Sequence, residues 1–423
     1  MAGTASHPQT GFLSRSWRDS AAWIRPADIL AVLVALSLPW STSLVAIFVM
    51  VFLLSLIPAF DAKHFVQALK QPASVAPVAL FALALLGMLW ASDISWTARL
   101  HGLAPVAKLL LIPVFIYQFG KSGRGLWVFA AFVASCSVVL AISWYLFFAG
   151  FTWSYFPGVP VKNYIAQSQE FALCIFMLLG AIMLLVHERR IELACGLAAL
   201  AAVFVANFVF VTSSRTVLIC VPILLLVFAF KHYGRTGILL TLTIAFIAAA
   251  VAWTASPSLR TRVSYGFGEV KGYEEQNAAT STGLRLEYWR KSIRFIESAP
   301  VFGHGTGTIK SLFEKDAIGQ TGASAEIVAN PHNQTLNVAI QWGFFGVVVL
   351  YAMWIAHLGL FATKSGLAAW IGLAAVVENV VSSMFNSHLF DFTEGWLYVL
   401  IAGVAGGMVF RDGVKAAVGQ ALR

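Results

Sequence analysis

The chain has 423 residues, of which 59% are hydrophobic and 11% are charged, and its mean hydropathy is +0.80. A soluble domain carries about 25% charged residues, so this composition excludes an ordinary soluble protein and indicates one that uses lipid as its main solvent. The formal net charge of +9 is explained by basic loops on one side of a membrane and gives no reason to expect a nucleic-acid partner.

Apolar runs recur from Ala27 to Phe410, and about 20 residues are enough for a helix to cross a bilayer. The sequence therefore predicts an all-α integral membrane protein with about twelve transmembrane helices. The predicted centres are Val34, Val51, Leu83, Leu111, Val138, Leu179, Val203, Leu224, Ile247, Val349, Ala374 and Leu400. The first two runs are short and are separated by Pro39, so they can also form one kinked pair.

Lys and Arg fall mainly in alternate loops when the N-terminus is placed in the cytoplasm, as the positive-inside rule requires. Both termini are then cytoplasmic, and the long polar segment faces the opposite side, which in a bacterium is the periplasm. Residues 1–26 lack the apolar core of a cleavable signal peptide. The predicted organisation is a cytoplasmic segment (1–26), transmembrane helices 1–9 (27–254), one large periplasmic loop with amphipathic helices (255–331), transmembrane helices 10–12 (332–410) and a cytoplasmic tail (411–423).

Arg215 lies in a hydroxyl-rich turn, Thr212-Ser213-Ser214-Arg215-Thr216, between two apolar runs on the predicted external side. Its guanidinium offers a fixed fork of donors that suits phosphate, and a helix that begins at about Thr216 would add free backbone N–H groups. The plain alternative is an interfacial arginine that reaches lipid headgroups. Because charges near a membrane are costly, the sequence favours an anion-binding role.

The loop 255–331 contains two contrasting segments. Tyr265–Gly283 is rich in Gly, Glu, Asn and Thr, so it is predicted to be irregular. From Leu284 to Ser298, apolar residues recur at helical spacing with basic residues between them, which predicts an amphipathic helix near the membrane surface. Pro300 and a glycine-rich turn, Gly303–Gly307, follow it.

Several basic residues of this loop are candidates for substrate binding. Arg285 opens the amphipathic helix and is the one expected to bind an anionic substrate. Arg290 is a further candidate, although Arg290, Lys291 and Arg294 together also suit a face toward lipid headgroups. His304, flanked by glycines, either binds substrate or belongs only to the turn.

His332 stands at the mouth of an apolar helix, directly after the polar loop, and Asn333 beside it is a candidate for substrate contacts. A histidine near its ordinary pKa of about 6.5 can accept a proton from an attacking hydroxyl at neutral pH. On an ideal helix Gly343 lies about 20° from the face of His332, which predicts that a neighbouring helix approaches closely beneath the histidine. The alternative is a histidine that only caps the helix.

Two charged residues, Glu378 and Lys108, fall within predicted spans. Intramembrane charges are costly, so both are candidates for substrate binding, with Lys108 as the structural partner of Glu378 in the plain alternative. The sequence has no Walker loop, HExxH, CxxC or Asp-x-Asp motif. It therefore predicts neither a metal site nor a cofactor.

His332-Asn333, followed after nine residues by Gly343 and after two more by Gly346, resembles the signature of the O-antigen ligase and polymerase superfamily. Tyr288-Trp289, the turn Gly303–Gly307 and Ser214-Arg215 extend the resemblance over residues 211–346. By its length and its predicted spans, the chain is most similar to the ligase branch.

This resemblance implies a metal-independent, inverting glycosyltransferase with a GT-C-like helical fold. Such an enzyme moves O-antigen polysaccharide from undecaprenyl pyrophosphate to lipid A–core oligosaccharide, at the periplasmic face of the Gram-negative inner membrane. His332 would then deprotonate the acceptor hydroxyl, and Arg215 and Arg285 would hold the diphosphate as charge builds on it.

Three alternatives stay open. A polymerase of the same superfamily and a protein O-oligosaccharyltransferase would share the donor but use a different acceptor. A transporter would place titratable groups throughout the depth of the membrane, whereas most of the candidates here are predicted at one face.

Overall fold

The computed structural model describes residues 20–58, 60–150, 157–212, 214–277 and 279–421, so most of the predicted segment 1–26 lies outside the described residues. Within these ranges the regular structure is entirely helical. The helices are α1 Ser20–Ser37, α2 Thr42–Leu56, α3 Ala62–Leu69, α4 Pro72–Gly87, α5 Trp96–Ala107, α6 Leu111–Lys121, α7 Gly125–Ala149, α8 Tyr164–His187, α9 Ile191–Phe210, α10 Arg215–Ala255, α11 Pro257–Gln276, α12 Ser281–Ser298, α13 Ile309–Asp316, α14 Gln334–Ala362, α15 Leu367–Ser382 and α16 Phe392–Ala421. Short 3₁₀ segments lie at Lys108–Leu110 and Gly322–Ala325.

The predicted all-α membrane fold is confirmed, and the chain is a multi-pass membrane protein. In the described ranges, eight helices are long and apolar enough to cross a bilayer, or up to nine if the bent pair α3 and α4 is one span. α10 counts twice among them because its helical backbone is interrupted at Gly234. All twelve predicted centres lie in helices, but α1, α2 and α15 do not meet that standard. The number of spans therefore stays a prediction.

Small residues let α16 pack directly along α6 at the centre of the bundle. A Cβ atom at Gly403 would lie 2.5 Å from Cβ of Phe115, and one at Gly407 would lie 2.8 Å from the main-chain oxygen of Ile116. Lipid gives no hydrophobic force between helices, so membrane bundles gain stability from this kind of close van der Waals packing. Large side chains fill the remaining core, including Trp342, Trp354, Trp370 and Tyr398.

α14 is broken at Gly343, whose φ of 59° and ψ of −149° are not helical. The break frees the main-chain oxygens of Ile340 and Gln341, which accept hydrogen bonds of 2.8 Å from the N–H groups of His304 and Gly305. The N–H of Phe344 donates to the oxygen of Pro300 at 2.8 Å. The prediction that a helix approaches at Gly343 is therefore wrong, since the backbone of the preceding loop occupies that space.

The segment between α10 and α14 is more ordered than the sequence suggested. α11 runs to Gln276, so the prediction of irregular structure over Tyr265–Gly283 is wrong for most of that range. The hydroxyl of Tyr273 donates to the carboxylate of Glu287 at 2.6 Å, which ties α11 to α12. Such tertiary contacts stabilise a helix whose intrinsic propensity is low.

The predicted amphipathic helix is confirmed as α12, which begins after the N-cap Thr280 and ends before Pro300. Its apolar face packs on α13 through Tyr288, Phe295 and Phe313. Lys291 and Arg294 do not form a headgroup face, because both pair with Asp316 of α13 at 2.9 Å. α12 is therefore held by a small second core and by ion pairs.

Candidate active site

His332 lies in the bend before α14 and not on the helix itself. Its φ of 54° is a left-handed conformation that costs free energy for a residue with a side chain. Three contacts hold it there: its N–H donates to Oδ1 of Asn330 at 2.9 Å, its oxygen accepts from Nε1 of Trp289 at 3.4 Å, and its ring stacks on Tyr288 with centroids 5.9 Å apart. The backbone is therefore strained to aim one imidazole.

Asn386 fixes the tautomer of this imidazole. Oδ1 of Asn386 accepts from the N–H of Ser387 at 3.0 Å, and it lies 2.7 Å from Nδ1 of His332. A backbone N–H can only donate, so the Asn386 oxygen is an acceptor and Nδ1 must carry the proton. Nε2 then bears the lone pair, and no described residue hydrogen-bonds it. The ring is therefore arranged as a base at Nε2.

The surroundings of His332 favour the neutral form of the ring. Burial lowers the pKa of its imidazole, the hydrogen bond with Asn386 raises it, and the charge of Arg285 lowers it, with a net shift below the ordinary value. Desolvation dominates because it penalises the charged imidazolium. His332 is therefore able to accept a proton at neutral pH.

Arg215 is the first residue of α10, one residue before the predicted start. Its Nη1 donates to Oε2 of Glu269 at 2.7 Å and to the hydroxyl of Thr282 at 2.8 Å. Burial raises the pKa of the Glu269 carboxyl, but hydrogen bonds from Arg215 and Thr282 outweigh it and lower the pKa overall. Glu269 is therefore a carboxylate that occupies the guanidinium of Arg215.

Arg285, half-buried on α12, has no such partner. Across the described residues, its guanidinium makes no hydrogen bond and no ion pair. It lies close enough to Arg215, Tyr164 and Glu269 for their charges to act on it, and its own charge acts on His332. A partly desolvated arginine without an anion is a ready site for one, since its fork of donors suits phosphate oxygens.

The structure thus brings together the three residues that the sequence singled out for catalysis, from α10, α12 and the bend before α14. Sequence reasoning missed two others, Asn386 and Tyr164. Asn386 lies in a polar stretch between two apolar runs, on the same predicted side as His332, and that placement is the signal that was available. Tyr164 follows an aromatic-rich segment and carries no motif.

The remaining polar candidates outside the membrane are occupied by the fold. Arg290 is exposed and lies 3.5 Å from the carboxylate of Glu287. Asn333 caps α14 through Oδ1, which accepts from the N–H of Leu336 at 3.0 Å, and its Nδ2 donates to the oxygen of Met384 at 2.9 Å. Nε2 of His304 donates to the oxygen of Phe295 at 2.8 Å. These groups are engaged in holding helix ends and the turn.

The two intramembrane charges do not pair, so the suggested Lys108–Glu378 partnership is wrong. Nζ of Lys108 donates to the main-chain oxygens of Phe390, at 3.1 Å, and of Asp391. It reaches them because the loop between α15 and α16 lies over the 3₁₀ segment that carries it. Glu378 is buried in α15, and its Oε1 has no hydrogen-bond partner among the described residues.

In the part of the chain that the structure describes, no group of three or more His, Cys, Asp or Glu side chains is placed to hold a metal ion. The polar groups that converge here are instead an imidazole and two guanidinium groups. An imidazole with a free lone pair can take a proton, and guanidinium groups can hold an anion. The arrangement suits acid–base chemistry next to a negatively charged group.

Comparison with known proteins addresses the family directly. A family model described as "O-Antigen ligase" matches residues 200–351, a range that contains Arg215, Arg285 and His332. An "Uncharacterized protein" of Haemophilus influenzae (strain ATCC 51907 / DSM 11121 / KW20 / Rd) is 23% identical over 181 residues, which are 40% of this chain and 43% of that protein. The chain thus spans less than half the length of this relative. The resemblance found in the sequence is confirmed by the family match: the chain is a member of the O-antigen ligase superfamily, with the matched segment running from α9 into α14.

Proposed function

We propose that this protein is an O-antigen ligase, a glycosyltransferase that moves a polysaccharide from undecaprenyl pyrophosphate to lipid A–core oligosaccharide. The observation that carries the proposal is the meeting of His332, whose Nε2 is free, with Arg285, whose guanidinium lacks an anion. The first group suits a hydroxyl acceptor and the second suits a diphosphate. Membership in the superfamily supports the same assignment.

The reaction is a single displacement in which each group has one task. Nε2 of His332 takes the proton of the acceptor hydroxyl, and the hydroxyl oxygen attacks the anomeric carbon of the donor. The bond from that carbon to the diphosphate oxygen breaks, and the diphosphate leaves with the bonding electrons. Arg285 and Arg215 neutralise the charge that builds on it. Attack from the side opposite the leaving group inverts the anomeric centre.

The alternation of basic loops supports a cytoplasmic N-terminus. His332 then faces the periplasm, and the membrane is the inner membrane of a Gram-negative bacterium. A polymerase or a protein O-oligosaccharyltransferase would use the same three residues with another acceptor, so only the product separates them. A transporter has less support, because Lys108 is bound to main-chain oxygens.

Reconstitution tests the function directly. Purified protein in liposomes receives a lipid-linked O-antigen donor and lipid A–core in the presence of a metal chelator. We expect glycan on lipid A–core and free undecaprenyl pyrophosphate, both detected by mass spectrometry. A requirement for added Mg²⁺ or Mn²⁺ would contradict the metal-independent reaction. A lengthened donor without modified core would identify a polymerase, and glycan on a protein hydroxyl an oligosaccharyltransferase.

Single substitutions test the roles of the residues. His332→Ala and Arg285→Ala are each expected to lower the rate of transfer by about 10²-fold or more. The matched control is Lys271→Ala, since Lys271 is an exposed cation in the same interhelical segment and contacts only Glu275 among its described neighbours. An equal loss of activity in the control would attribute the effect to lost charge in general.

A further inference from the structure

A cavity of about 570 Å³ opens beside the residues that hold His332. Its walls come from the start of α5, the turn that leads into α13, the inner face of α14 and the loop between α15 and α16. Within the described residues, none of α10, α11 or α12 contributes to it. The helices that carry Arg215 and Arg285 therefore lie outside this cavity.

The lining has the chemistry of a saccharide site. Asp391 and Asn330 offer a carboxylate and an amide to sugar hydroxyls, and Thr97 and His101 add polar groups at the exposed rim. Phe390 supplies an apolar surface for the C–H face of a ring. The volume falls within the range of about 300–1,000 Å³ that is usual for pockets enclosing small organic ligands.

One residue joins this cavity to the base. Asn330 lines the cavity, and its Oδ1 accepts the N–H of His332 at 2.9 Å. Its Nδ2 donates to Oδ1 of Asn386 and to Oδ1 of Asp391, both at 3.4 Å. The wall of the cavity and the support of the imidazole are therefore parts of one hydrogen-bonded network.

We propose that this cavity binds the acceptor, as the terminal sugar of a lipid-anchored saccharide, with Asp391 and Asn330 hydrogen-bonded to its hydroxyls. The proposal rests on the proposed function, since it assigns the second substrate of the same reaction. A single displacement needs the acceptor and the departing diphosphate on opposite sides of the anomeric carbon. Arginines on α10 and α12 and a cavity built from other elements provide separate sites for the two substrates.

The test compares two tryptophan substitutions on one helix. Thr97→Trp fills the exposed rim of the cavity, whereas Leu100→Trp changes an exposed side chain, 57% accessible, that does not line it. In the transfer assay, we expect Thr97→Trp to raise KM for the acceptor at least about tenfold, the change that 1.4 kcal/mol of lost binding gives. KM for the donor should not change, and Leu100→Trp should change neither. An unchanged acceptor KM, or an equal rise in both constants, would overturn the proposal.

A binding measurement separates this proposal from the proposed function. Core oligosaccharide freed from lipid A, and a fragment of O-antigen polysaccharide, are titrated into the purified full chain without donor. We expect one of these saccharides to bind the wild type and the Leu100→Trp variant but not the Thr97→Trp variant, and Asp391→Asn, which keeps the side-chain size, to weaken binding. Which saccharide binds distinguishes a core acceptor from a growing polymer. Binding of neither, or equal binding to Thr97→Trp, overturns the assignment even if transfer occurs. Binding without any transfer would instead contradict the proposed function alone.

Discussion

Nδ1 of His332 lies 2.7 Å from Oδ1 of Asn386, across 54 residues of sequence. The contact joins the bend before α14 to the loop after α15, and the N–H of Ser387 fixes which atom of the amide faces the ring. Asn386 touches no substrate in the proposed reaction. It is a positioning residue, because it decides which imidazole nitrogen carries the proton.

Loss of this acceptor should therefore impair catalysis without impairing substrate binding. Asn386→Leu keeps a similar volume but removes the oxygen, so both ring tautomers become populated and the ring loses its orientation. We expect kcat to fall about tenfold or more, with KM for both substrates little changed. Asn386→Asp retains an oxygen acceptor and should recover most of the rate at neutral pH. A rise in KM with unchanged kcat would instead place Asn386 in substrate binding.

The pH dependence of transfer should report the same contact. Burial lowers the pKa of His332, so the neutral base persists below pH 6.5, and kcat/KM should fall only as the pH drops through the lowered pKa. Arg285 and His388 are the other charged or titratable groups that act on this ring, with Asp391 joined to it through Asn330. Asn386→Asp places a carboxylate at Nδ1, which favours the imidazolium and raises its pKa. The acid limb should move to higher pH, and an unmoved limb would separate His332 from the rate.

The ion pair between Arg215 and Glu269 predicts competition with the donor. At 2.7 Å the carboxylate occupies the guanidinium that the diphosphate would need, and the lowered pKa of Glu269 keeps it charged down to acidic pH. We expect Glu269→Gln to bind undecaprenyl pyrophosphate several-fold more tightly, measured by displacement of a fluorescent analogue. Glu275→Gln, an exposed acid on the same helix paired with Lys271, is the control. Weaker binding by Glu269→Gln would mean that the carboxylate orients Arg215 for the ligand.

The apolar runs were sufficient to predict where the helices lie, because the length and hydrophobicity of a span are properties of adjacent residues. Arg215, Arg285 and His332 could be singled out because each is a charged or titratable group beside a predicted helix end. Asn386 could not be linked to His332 in the same way. Their contact depends on how two loops meet after the helices have packed, and nothing in the spacing encodes that distance.

Gly343 shows a different limit of the sequence. A glycine in an apolar helix is usually interpreted as a site of close helix packing. Here it is the point at which the helix stops being helical, and its carbonyl and N–H neighbours bond the loop 299–305 instead. The local sequence does not distinguish these outcomes, because the partner that makes the break favourable is distant in the chain.

Gly343→Ala should therefore destabilise the protein, although alanine favours helices in general. A left-handed φ costs a residue with a Cβ about 1–2 kcal/mol, and the new methyl group would overlap the carbonyl group of Val301. We expect the free energy of unfolding in detergent to fall by at least that amount. The control is Gly359→Ala in the same helix, where a Cβ would meet nothing within 4 Å and should stabilise by about 0.5–1 kcal/mol. If Gly343→Ala proved as stable as this control, the chain would not need a broken helix to support the bend at His332.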